Sequence, residues 1–127
     1  MDGLRLGQKI TAVRPLDEDE MNREFWSCDT PNAIVLEDGT LLYAAQDEEG
    51  NGPGELLGVD STLVGQKVVD IKLMTAAQMR KRGWEGWQNA LFIMLDNNKR
   101  LIPSADAEQN RPGAIFGQSP AGQTFSL

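Results

Sequence analysis

The chain has 127 residues, 19 acidic against 12 basic side chains, and a net charge of −7. That length suffices for one domain with its own core, and the acidic balance argues against nucleic-acid binding through phosphate neutralisation. No histidine is present and only one cysteine, Cys28; a cysteine–histidine nucleophile pair and an intramolecular disulfide are thereby excluded, and an ordinary zinc site is close to excluded.

No run approaches the ~18 apolar residues of a membrane span. Met1 to Gln8 lacks the apolar stretch of a signal peptide. The expectation is a soluble cytoplasmic protein with no membrane and no nucleic-acid partner.

The elements come in matched pairs. Gly7-Gln8-Lys9 recurs as Gly65-Gln66-Lys67, and Met21 and Trp26 recur as Met79 and Trp84. After one extra residue, Ile34 and Leu36 match Ile93 and Leu95, and Pro53, Gly54 and Gly58 match Pro112, Gly113 and Gly117. The sequence therefore predicts a single domain over 1–127 with internal repeats 4–58 and 63–117.

In chain order, Lys9 to Arg14 and Lys67 to Leu73 are dense in β-branched residues and predict a strand. Asp17 with Glu20, and Thr75 with Gln78, each spell a capping box. Leu16 with Met21, and Met74 with Met79, have the spacing of a hydrophobic staple. A helix of two or three turns is expected after each cap.

Ala33 to Leu36 and Leu91 to Leu95 predict a second strand. Asp38-Gly39 and Asn97-Asn98 follow, residues that tolerate the positive φ of a two-residue hairpin turn. Thr40 to Ala44 and Lys99 to Pro103 return as a third strand. Leu56-Leu57 and Ile115-Phe116, after Pro-Gly, read as apolar plugs from a short turn. Residues 118–127 have no match in the first repeat and read as a loose C-terminal tail to which Phe125 could contribute a docking contact. The expected fold is α+β: a tandem pseudo-twofold duplication of a β-α-β-β unit forming one six-stranded sheet or small barrel with two short helices.

Charge divides unevenly. Residues 1–60 carry a net −10 and residues 61–127 a net +3.

Three groups could carry chemistry. Asp47, Glu49 and Asn51 followed by Gly52 space oxygen ligands like the first half of a calcium loop, and Asp106, Glu108 and Asn110 keep those types. The twelfth position should be a glutamate and is Gly58, and Asp and Asn also cap their own backbone in tight turns. Trp87, Arg80 and Arg82, with Lys81 and Trp84, form an aromatic and basic set that suits a partner interface. Trp87 has no counterpart in the first repeat, which makes it the surface candidate. Cys28 has no base to activate it.

The composition therefore predicts no catalytic set and no cofactor other than a possible calcium ion. The favoured function is a small non-enzymatic domain that binds another protein or a ligand, or assembles with itself as a homo-oligomer. The alternative is a divalent-cation binding protein that uses the Asp/Glu/Asn loops of both repeats.

Overall fold

The computed structural model describes residues 4–24, 26, 31–106 and 108–127. Cys28 lies outside them. Among the described residues the chain is a small α+β fold with nine strands in two antiparallel sheets and two short α-helices.

The first half runs β1 (Ile10–Pro15), α1 (Glu18–Arg23), β2 (Asn32–Leu36), β3 (Leu41–Ala45) and β4 (Glu55–Leu57). The second runs β5 (Val68–Leu73), α2 (Ala76–Lys81), β6 (Leu91–Leu95), β7 (Arg100–Ser104), β8 (Ala114–Gln118) and β9 (Thr124–Ser126).

Both capping boxes form. Asp17 Oδ1 accepts from the Glu20 amide at 2.9 Å while Glu20 Oε1 accepts from the Asp17 amide at 2.8 Å. Thr75 and Gln78 repeat the exchange at 3.1 and 2.7 Å. Each helix then stops in the same way, with the Trp26 and Trp84 amides donating to the Met21 and Met79 carbonyls. The staple residues Leu16, Met21, Met74 and Met79 are all buried.

The hairpins differ from expectation by one residue. The Leu36 amide donates to the Thr40 carbonyl, and Leu95 to Lys99, so the loops have three residues. Only their last residues, Gly39 (φ 90°) and Asn98 (φ 68°), are left-handed. This is a type I turn closed by a left-handed residue. Asp38 and Asn97 brace it by accepting from the amides of Thr40 and Lys99.

Instead of a six-stranded sheet or barrel, the sheets have orders β1-β2-β3-β8-β9 and β4-β7-β6-β5. The segments expected to be plugs are strands, and each crosses to the other half. β4 pairs with β7 (Leu56↔Pro103), and β8 pairs with β3 (Ile115↔Ala44). The registers coincide between halves: Ile34↔Leu42 corresponds to Ile93↔Leu101, and the bulge at Ile10/Ala12 to that at Val68/Asp70. Isolated bridges Lys9↔Lys67, Ala45↔Pro53 and Ser104↔Pro112 join the two sheets.

Glycine makes the crossing possible. A Cβ on Gly54 would lie 2.6 Å from the Ser104 carbonyl oxygen and 2.7 Å from that of Ala45. A Cβ on Gly113 would meet the same two carbonyls at 2.8 and 2.6 Å. The tail ends in a strand rather than running loose, and Phe125 makes the docking contact expected of it. Thr124–Ser126 pairs with β8, and the Phe125 ring lies over Gly117, a place only a residue without Cβ can leave open.

The central core takes residues from both halves, including Ile10, Ile34, Leu42, Val68, Ile93, Leu101 and Ile115. Each helix adds its own cluster, around Trp26 and Tyr43 for α1 and around Trp84 and Phe92 for α2. Among the described residues, no helix is long and apolar enough to cross a membrane.

Candidate functional site

The two Asp loops are latched in the same way. Asp47 Oδ1 accepts from the amides of Glu49 and Asn51 at 3.0 and 3.1 Å, and Oδ2 accepts from Asn51 Nδ2 at 2.9 Å. Burial opposes the charged form of Asp47, but the donors of Asn51 and the Glu49 and Gly50 amides hold its carboxyl below the ordinary range. The loop turns through Gly50 (φ 73°), whose carbonyl accepts from Trp26 Nε1 at 2.9 Å.

In the second half, Asp106 Oδ1 accepts from the Asn110 amide at 3.2 Å. The turn passes through Gln109 (φ 62°), whose carbonyl accepts from Trp84 Nε1 at 3.0 Å. The shared Asp and Asn thus shape a left-handed turn that presents a carbonyl to a buried tryptophan. Asn51 Nδ2 also reaches Glu49 Oε2 at 3.3 Å, so Asp47, Glu49 and Asn51 converge. Glu108 and Asn110 are exposed beside Asp106. Among the described residues no group of three or more His, Cys, Asp or Glu side chains is placed to hold a metal.

Two clefts flank the segment that joins α2 to β6. The first has a volume of about 260 Å³ and lies where the Asp47 loop meets Trp87 and the Arg111-Pro112-Gly113 turn. Its lining includes Asp47, Glu48 and Glu49 against one cation, Arg111, with Leu91, Ile115 and Leu127 as apolar wall. Trp87 is 49% exposed, and the Arg111 guanidinium sits 5.7 Å from its ring centre. Arg111 leaves an indole at the mouth of an acidic, partly apolar groove.

The second cleft, about 490 Å³, lies between α2, β6 and β7. Lys81, Arg82 and Arg100 line it, and among the described residues no carboxylate does. Arg82 stands 5.5 Å from the ring centre of Trp84, and Arg100 stands 5.4 Å from that of Phe92. Arg80 is exposed and lines neither cleft. Arg100 and Arg111 are not singled out by the sequence. The signal that finds Arg100 is a difference between the halves, since the position that corresponds to it is Leu41.

Among the described residues, the corresponding place beside α1 holds Tyr43. Tyr43, at the position of Ile102, packs edge-on against Trp26 (5.7 Å, 86°) and donates to Glu24 Oε1 at 2.7 Å. Burial raises the Glu24 carboxyl, with the Tyr43 hydroxyl opposing it, and burial also drives the Tyr43 hydroxyl far above its ordinary value. Phe116 packs over Gly50, and Gln118 Nε2 donates to the Glu20 carbonyl at 2.8 Å. Glu20 is gripped by both Arg14 guanidinium nitrogens at 2.7 and 2.9 Å, and this contact, against burial, holds its carboxyl low.

Comparison with known protein families, curated proteins and solved structures found no match.

Proposed function

We propose that this chain is a non-enzymatic binding module, a tandem duplication in which the cleft beside Trp87 takes a basic, partly apolar segment of another protein. Trp87 carries the proposal. It is a large apolar side chain, 49% exposed, at the mouth of a cleft whose rim holds three carboxylates and one cation. Tryptophan is among the residues enriched at the energetic anchors of protein interfaces, and truncating such an anchor costs about 2 kcal/mol or more of binding. A Lys or Arg of the partner would meet Glu48 and Glu49, while an aliphatic side chain would lie against Leu91 and Ile115. The coincident registers and the paired tryptophan latches support the duplication.

A random-peptide display selection tests the reading. The expected binders carry Arg or Lys next to an aliphatic residue. They lose at least tenfold in affinity on Trp87→Ala and less on Glu48→Gln with Glu49→Gln. Recovered binders indifferent to Trp87→Ala would overturn it.

A second proposal keeps the divalent cation at Asp47 and Glu49, whose carboxylates stand close enough to share the Asn51 side chain; a bound ion would displace that amide donor. Calcium should then raise the melting temperature by several degrees, and Asp47→Ala plus Asp106→Ala should abolish the rise. Equal melting in calcium, magnesium and chelator would sink it.

A further inference from the structure

We infer that the cleft between α2, β6 and β7 is an anion site that takes an organic phosphate of about nucleotide size. It is independent of the Trp87 cleft. Lys81, Arg82 and Arg100 converge there, no carboxylate lines the space, and none of the three makes an ion pair among the described residues. In a chain of net charge −7, three cations around one hollow are a local reversal of sign.

Stacking organises two of them. A guanidinium held over an aromatic ring loses little further freedom when it binds, and its N–H edge stays free for bidentate contact with phosphate oxygens. Arg82 over Trp84 and Arg100 over Phe92 have this arrangement, and both rings are buried. The volume of about 490 Å³ exceeds what a free anion fills. Met74 and Ile102 add apolar wall for a ring or chain attached to the phosphate.

The first half serves as an internal control. The positions of Lys81, Arg82, Arg100 and Ile102 are there Arg23, Glu24, Leu41 and Tyr43, and Tyr43 packs edge-on against Trp26. The fold itself therefore imposes neither the hollow nor its charge. Arg82, Arg100 and Ile102 are particular to the second half, whereas Lys81 keeps the basic character of Arg23.

Calorimetric titration of the full chain with ADP, inorganic pyrophosphate and adenosine tests the site at low salt. ADP should bind with a dissociation constant below about 1 mM, pyrophosphate at least tenfold more weakly, and adenosine not measurably. Arg82→Gln and Arg100→Gln should each weaken ADP by about tenfold, the expected scale for one charge-assisted contact. Ile102→Tyr, which adds a bulky ring to the cleft wall while keeping every cation, should abolish binding; it also serves if the arginine variants fold poorly. Pyrophosphate binding as tightly as ADP would overturn the organic ligand. No ADP binding, or binding that survives Ile102→Tyr, would overturn the site.

Discussion

Replacing Gly54 by alanine probes the point where the two halves exchange strands. The new Cβ would lie 2.6 Å from the Ser104 carbonyl oxygen and 2.7 Å from that of Ala45. Both neighbours are backbone in paired strands, so no side chain can rotate away. Relief requires β3 and β7 to part, which disturbs the bridges at Pro53 and Pro112 as well. Overpacking that displaces backbone costs about 3 kcal/mol, a large share of the ~5–15 kcal/mol by which such domains are stable. Gly113→Ala should cost the same, because it strikes the same two carbonyls. Gly7 and Gly65 are the controls. They have φ of 88° and 93° with nothing within 4 Å of a new Cβ, so alanine there pays only left-handed strain, about 1 kcal/mol. In urea, with a slope of about 1.5 kcal/mol per molar, the crossing variants should lose about 2 M of midpoint and the controls about 0.7 M. Crossing variants no less stable than the controls would refute the close approach of the strands.

Further outcomes follow from the latches and the carboxylates. Trp84→Phe should destabilise by about 2–3 kcal/mol, from the lost volume and the orphaned Gln109 carbonyl, read as a thermal shift of several degrees. Asp47→Ala should cost about 1 kcal/mol at pH 7 by uncapping two amides. Because the Asp47 pKa is depressed on folding, that stability is present above the ordinary carboxyl pKa and is lost as pH falls. The variant and parent urea midpoints should therefore converge in acid. Glu24 has the opposite sign. Its raised pKa means that the charged form opposes folding at neutral pH, so Glu24→Gln should stabilise at pH 7 and have no effect below the ordinary carboxyl range.

Both helices are legible in the sequence because capping chemistry is local. Asp17 with Glu20 and Thr75 with Gln78 mark their starts within four residues. The hairpins are legible for the same reason, although Asp38-Gly39 and Asn97-Asn98 do not separate a two-residue from a three-residue loop. The strand exchange is hidden. β4 has only three residues, too few for a periodic pattern, and its pairing with β7 needs a close backbone approach at Gly54 that the sequence does not display. β9 is legible only in part: Phe125 marks the docking contact, but the strand pairing depends on the bare face of Gly117, its direct cross-strand partner.

At the candidate site, Asp47, Asn51, Asp106 and Asn110 are visible as residues common to both halves. The structure gives Asp47, Asn51 and Asp106 loop-shaping hydrogen bonds. The clefts arise where the halves differ: Trp87 against no counterpart, Arg82 against Glu24, Arg100 against Leu41. Identities between the halves report the shared fold, and the changes of charge and volume between them locate the open spaces.

The most direct test of the binding proposal is the indole N–H spectrum of the three tryptophans. Trp26 and Trp84 donate to Gly50 and Gln109 carbonyls and should exchange slowly, while exposed Trp87 exchanges fast. Adding a selected Arg-bearing peptide should shift the Trp87 signal alone. A peptide that binds while Trp87 stays unmoved would contradict the account.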